Sequence, residues 1–211
     1  MKYSTYLFDF DGTLVDSMPS FISVMLRILD ENHIDYPDDI VKIITPLGYR
    51  GTAKYFIGMG LNMEEDALVE LMNTYALHEY TYNIPAKENV IDTLTELKNR
   101  GASLNVLTAS PHSVLDVCLK RLGIYELFDN VWSCDDFGTT KADVNIYKMA
   151  AEKLGKRVEE VLFLDDNYNA DKTAKESGMA VCGVYDKSSE DYTEDIKSVS
   201  DFYVYDFTEL L

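Results

Sequence analysis

The chain has 211 residues, 46% hydrophobic and 12% aromatic, enough for a core of ordinary size and incompatible with wholesale disorder. Nineteen Lys and Arg against 37 Asp and Glu give a formal net charge of −18, which disfavours nucleic acid and anionic membranes as partners. Cys118, Cys134 and Cys182 are far apart and form no Cys-x-x-Cys pair. With no targeting segment at the start and no apolar run near ~18 residues, the expectation is a cytoplasmic protein with reduced thiols and no membrane span.

The first predicted strand covers Thr5 to Phe8 and ends in Asp9-Phe10-Asp11-Gly12-Thr13. An apolar strand that delivers two acids to its C-terminal tip suits the place where open α/β sheets bind ligands. Two like charges this close resist joint ionisation unless a cation or a shared proton relieves them. The segment therefore reads as a metal site, an acid/base pair, or both. Alone, Asp-Gly also fits a plain turn.

From Ser17 to Ile84 no strand is convincing. Amphipathic segments such as Phe21 to Leu29 and Ala67 to Leu77 alternate with turns near Pro37, Gly48 to Gly51, and Gly58 to Gly60. This stretch reads as an inserted all-helical cap spanning 17–84, with Pro85 returning the chain to a core made of 1–16 and 85–211.

Beyond Pro85, strands at Leu104 to Thr108, Val131 to Cys134, Val161 to Asp165, Ala180 to Val184 and Phe202 to Tyr205 alternate with helical patterns. Those patterns cover Glu88 to Arg100, Pro111 to Leu122, Val144 to Leu154 and Ala170 to Ser177. The alternation predicts an α/β fold: a Rossmann-like parallel sheet flanked by helices.

Three further segments carry chemistry. Leu107-Thr108-Ala109-Ser110-Pro111 joins a strand to a helix, with Ser110 placed to cap it and Pro111 at its first position. Backbone N–H groups there and the Thr108 hydroxyl would also cradle a phosphate. Lys141 lies in a loop ahead of a helix and gains meaning only if the fold brings it to the acids. Phe163-Leu164-Asp165-Asp166-Asn167, with Asp171 beyond, again ends an apolar strand in paired acids, which suits an oxygen-ligated Mg²⁺. Asp166 and Asn167 would otherwise serve as helix caps.

In order, Asp9-Phe10-Asp11-Gly12-Thr13, Thr108, Lys141 and Asp165-Asp166 resemble the four motifs of the haloacid dehalogenase superfamily. The insertion after the first motif is similar to that superfamily's type I cap, as carried by its phosphoglycolate phosphatase and beta-phosphoglucomutase branches. The resemblance implies a phosphoric monoester hydrolase acting on a small phosphorylated metabolite with Mg²⁺, as a monomer or weak dimer. Asp9 would be the nucleophile and become an aspartyl phosphate. Asp11 would act as general acid and then base. Thr108 with the Ala109 and Ser110 amides would hold phosphoryl oxygens, and Lys141 would balance charge. Asp9, the Asp11 carbonyl and Asp166 would ligate the metal, with Asp165 and Asp171 as supporting or alternative acids. Two features depart from the family pattern: Asp165 stands where Gly is frequent, and Ala142-Asp143 follows Lys141 in place of Pro-x-Pro.

In the cap, Leu47 to Lys54 joins flexible glycines to Tyr49, Arg50 and Lys54, so these three are the candidates for substrate selection. Arg50 and Lys54 equally suit ordinary surface charges. A phosphomutase using the same aspartyl phosphate is the alternative activity. A dehalogenase conflicts with the acid at position 11. A receiver domain conflicts with the length and the insertion, and a silent binding module conflicts with the filled reactive positions.

Overall fold

A computed structural model describes residues 3–211. The first two residues, read from the sequence as a short lead into the opening strand, lie outside the described part. The chain divides into two compact units, one comprising the residues up to Asp16 with Pro85–Leu211, the other Ser17–Ile84.

β1 (Thr5–Phe8) opens the first unit. The second unit follows as four helices: α1 (Met18–Glu31), α2 (Ile40–Ile44), α3 (Gly48–Gly58) and α4 (Glu65–Tyr82). Met25, Ile28 and Leu29 of α1 bury one stripe, joined by Phe56 of α3 and by Leu68 and Met72 of α4. The turn expected at Gly48 to Gly51 is instead the first turn of α3. Thr52, Ala53 and Phe56 bury one face of that helix, and this burial overrides the poor helix propensity of glycine. A Cβ on Gly51 would lie 2.8 Å from the Leu47 Cβ, so glycine there permits close packing.

Back in the first unit come α5 (Val90–Asn99), β2 (Ser103–Thr108), α6 (His112–Arg121), β3 (Asn130–Ser133) and α7 (Val144–Lys153). They are followed by β4 (Leu162–Asp165), α8 (Tyr168–Glu176), β5 (Ala180–Val184), α9 (Thr193–Val199) and β6 (Phe202–Val204). The six strands form one parallel sheet in the order β3-β2-β1-β4-β5-β6. This is the Rossmann-like architecture the alternation predicts. Of the α-helices described in this unit, α9 alone went unread, because a seven-residue helix that buries Ile196 alone carries too little periodicity.

Side chains of β1 alternate between two covered faces. Tyr6 and Phe8 stack at 5.9 Å, and Phe8 also meets Phe207 and Phe128. Leu7 faces the other way, into a cluster with Leu107, Tyr147, Phe163 and Val181. Burial on both faces explains why the strand reads as a continuous apolar run.

The sheet order turns around β1, with β2 and β3 on one side and β4, β5 and β6 on the other. Beyond the carboxyl ends of β1 and β4 such a switch opens a crevice. Asp9 N donates to Leu164 O at 2.8 Å, extending the ladder and bringing Asp9 alongside Asp165. The segments flanking the helical insertion also meet here. Asp16 N donates to Pro85 O at 3.0 Å, and Val15 and Ala86 form an antiparallel bridge.

Candidate active site

Asp9, Asp165 and Asp166 are buried at this crevice, and each offers a carboxylate oxygen within 4.8 Å of the others. Lys141 arrives from the loop before α7. Its ammonium bonds Asp9 Oδ1 and lies 2.8 Å from Asp165 Oδ2. Burial works against that ammonium's charge, but Asp165 and Asp9 outweigh it and hold the group protonated. Burial pushes the Asp165 carboxyl up to about 6, with Lys141 opposing. Burial also pushes Asp166 well above the usual carboxylate range, reinforced by Asp165 and Asp9.

The donor set fits a divalent cation. Three buried carboxyl groups share this space with one ammonium, a divalent cation would favour their ionised forms, and hard oxygen donors are what Mg²⁺ takes. Asp165 is committed elsewhere, because Oδ2 faces Lys141 and Oδ1 accepts from Asn167 N at 2.8 Å. Asp9 and Asp166 therefore have the more available oxygens of the three.

The turn after β1 is built around Asp166. Thr13 Oγ1 donates to Asp166 Oδ1 at 3.0 Å. Gly12 has φ of 77°, and a Cβ there would come 2.5 Å from Asp166 Oδ2. Only glycine satisfies both conditions. Leu14 N and Val15 N both donate to Phe10 O, closing the turn.

Asp11 is partly exposed, and Ser110 Oγ donates to its Oδ2 at 2.5 Å. This corrects the reading of Ser110 as a helix cap. Pro111 is extended at the cap position and α6 starts at His112, so the Ser110 hydroxyl is spaced away from the first helical amides. Thr108 is buried at the end of β2. Its Oγ1 accepts from Ser110 N at 3.1 Å, which leaves its proton for another acceptor. Ala109 follows in the same turn.

Asn167 caps α8, accepting from Asn169 N and Ala170 N. Asp166 takes no part in that cap. Asp171 sits on α8, fully buried, with no hydrogen-bond partner for either carboxylate oxygen. Burial, then Asp165 and Asp166, pushes its carboxyl well above the usual range. It lies outside the trio that could hold an ion.

Within the helical unit, Tyr49 stacks on Phe21 at 5.9 Å. Arg50 is exposed and lies 3.0 Å from both Glu65 Oε1 and Asp66 Oδ1, and Lys54 is 4.0 Å from the same Glu65 oxygen.

Three supports escaped the sequence reading. The Tyr147 hydroxyl lies 3.0 Å from Lys141 O and 3.1 Å from Ala170 O, tying the Lys141 loop to α8. Thr13 orients Asp166, and Lys87 pairs with Asp186 at 2.9 Å. Tyr147 reads as an ordinary core aromatic, and a lone Lys after a proline carries no motif. Thr13 stood inside the first motif and was the one with a signal.

The family model described as haloacid dehalogenase-like hydrolase matches residues 6–184. The chain is similar to pyrophosphatase PpaX of Bacillus velezensis, with 29% identity over 184 residues, 87% of this chain and 83% of that one. In fold it is similar to a phosphoglycolate phosphatase predicted in Haemophilus somnus, with TM-score 0.81 and 20% identity, covering 100% of this chain and 97% of that one. It is likewise similar to a HAD family hydrolase from Deinococcus radiodurans solved with bound phosphate and sodium, with TM-score 0.79 and 19% identity, covering 99% and 93%. Among the described residues no helix is long and apolar enough to cross a membrane. A match over most of its length, on a fold that gathers the four motifs at one crevice, makes this chain a member of the haloacid dehalogenase-like hydrolases.

Proposed function

We propose that the protein is a Mg²⁺-dependent phosphatase of a small phosphorylated metabolite, working through an aspartyl phosphate on Asp9. The observation that carries this reading is Lys141 joining Asp9 and Asp165 beside Asp166. A dianionic ester cannot approach a carboxylate nucleophile unless cations stand between them.

Asp9, Asp166 and the Asp11 carbonyl would hold Mg²⁺, which supplies charge neutralisation and polarisation of a phosphoryl oxygen. The other Asp9 oxygen attacks phosphorus while the ester bond breaks, and Asp11 gives its proton to the departing oxygen. Asp11 then takes a proton from the water that cleaves the acyl phosphate, returning Asp9 free and releasing phosphate. The short bond from Ser110 holds Asp11 in place for both transfers. The Thr108 hydroxyl, whose oxygen accepts from the Ser110 amide and whose proton is left over, donates to a phosphoryl oxygen along with the Ala109 amide. The Lys141 ammonium balances the charge that develops as the ester bond opens.

Support for the phosphoryl substrate comes from the PpaX relative, named a pyrophosphatase, and from the structural neighbour solved with phosphate. Tyr49, Arg50 and Lys54 remain the candidates for substrate selection. The test is phosphate release from p-nitrophenyl phosphate and from pyrophosphate with MgCl₂, comparing wild type with Asp9→Asn. Release from either by wild type and from neither by the variant is expected. Equal release by both proteins removes Asp9 as nucleophile.

A further inference from the structure

Lys87 lies outside all four motifs. It follows the bridge at Ala86 and enters the core with only 17% of its side chain exposed. Its ammonium meets three acceptors at once: Gly12 O at 2.6 Å, Tyr185 O at 2.6 Å and Asp186 Oδ2 at 2.9 Å. Three bonds satisfy every proton the ammonium carries. Asp186 is itself fixed, because its Oδ1 accepts from the Ser188 amide at 2.9 Å and from the Ser188 hydroxyl at 2.7 Å. The Lys87 amide also donates to Leu14 O at 3.0 Å, so one residue grips the turn after β1 from both backbone and side chain.

Gly12 is the centre of that turn. It separates Asp11 from Thr13, and its φ of 77° brings the backbone against Asp166. A left-handed turn next to buried carboxylates holds its shape only where its surroundings determine it. The carbonyl of Gly12 points to Lys87, and through Lys87 the turn is bolted to the chain just after β5. We infer that Lys87, anchored by Asp186, is a positioning residue for the reaction. It acts through Gly12 to fix the backbone that presents Asp11 and packs against Asp166.

This inference rests on the phosphatase reading for its kinetic consequence but not for its structural one. A small displacement of a positioned acid costs rate far more than it costs binding.

Two measurements on Lys87→Met, which keeps the length of the side chain and removes its donors, test the inference. The first is p-nitrophenyl phosphate turnover at saturating MgCl₂. The variant should lose at least tenfold in kcat with KM within threefold of wild type, whereas a merely structural lysine would lower the melting temperature and leave kcat of the folded protein alone. The second is amide hydrogen exchange, which needs no turnover. The Gly12, Leu14 and Val15 amides, all hydrogen-bonded within the turn, should exchange at least tenfold faster, while amides of β3 and α7 keep their wild-type rates. Equal exchange in the turn, or kcat within twofold of wild type, overturns the inference. If wild type itself releases no phosphate, the phosphatase reading fails and the exchange data alone decide on Lys87.

Discussion

The backbone of Gly12 lies directly against the carboxylate of Asp166, so close that a Cβ would fall 2.5 Å from Oδ2 and 2.7 Å from Oδ1. The left-handed turn at the end of β1 and the acid at the end of β4 are thus one fitted pair. Gly12→Ala should lose at least ~1 kcal/mol from the positive φ alone, with a further loss from displacing Asp166. Urea unfolding measures the first and Mg²⁺ titration of activity the second. A variant with wild-type stability would mean that the turn relaxes freely.

Asp9→Asn should remain folded and release phosphate at least a thousandfold more slowly than wild type, since a neutral amide is no nucleophile. Asp11→Asn should slow both formation and breakdown of the phosphoenzyme. Rapid-quench measurement separates the two steps, and an effect confined to one of them would contradict the dual role of Asp11.

Mg²⁺ should raise the melting temperature, and chelation by EDTA should abolish turnover. Ligation needs the acids deprotonated. Asp165 is pushed up to about 6 and Asp166 well above its usual range, so apparent Mg²⁺ affinity should rise as pH increases through that region. Calorimetric titrations at pH 5.5 and 8 check the sign, and equal affinities would refute it.

Asp171→Leu should stabilise the protein by ~1–3 kcal/mol, because it removes a buried carboxyl with no partner and keeps its approximate shape. The folded-state carboxyl titrates well above its unfolded value of ~3.9. The native state therefore holds the proton more tightly, and stability falls as pH rises above ~4. The gain in the variant should be larger at pH 8 than at pH 5. Chemical denaturation at the two values decides.

His112, at the start of α6, places Nδ1 2.9 Å from Asp116 Oδ1 and Nε2 2.8 Å from Asp136 Oδ2. Its bonds to Asp116 and then Asp136 push the imidazole above its ordinary pKa. Its contribution to stability is complete below ~6.5 and disappears as pH rises through the raised folded value. His112→Gln should therefore lower the melting temperature at pH 6 and leave it nearly unchanged at pH 9. A uniform loss at both would show that packing rather than charge is at work.

The acids at strand ends were legible because two apolar runs, before Asp9 and before Asp165, each stop at paired carboxylates. Parallel strands buried on both faces leave that signature. Lys141 was legible only through its order among the motifs, since a loop lysine has no periodicity. Ser110 was misread because local chemistry suggests a cap, whereas the tertiary fold offers it the Asp11 carboxylate, ninety-nine residues away in the chain. Gly48 and Gly51 were read as a turn because glycine is a poor helix former, and burial of Thr52, Ala53 and Phe56 overrode that preference. Lys87 and Tyr147 act on backbone carbonyls distant in sequence, a relation no linear pattern records.

The bridge between Val15 and Ala86, with Asp16 bonded to Pro85, means that sixty-eight intervening residues depart from and rejoin the sheet domain at adjacent points. Closing that gap with a short loop would add little ring-closure entropy. The helical module is thus a replaceable part. A different insert could be spliced between the same two anchors while the carboxylates at the ends of β1 and β4 keep their places.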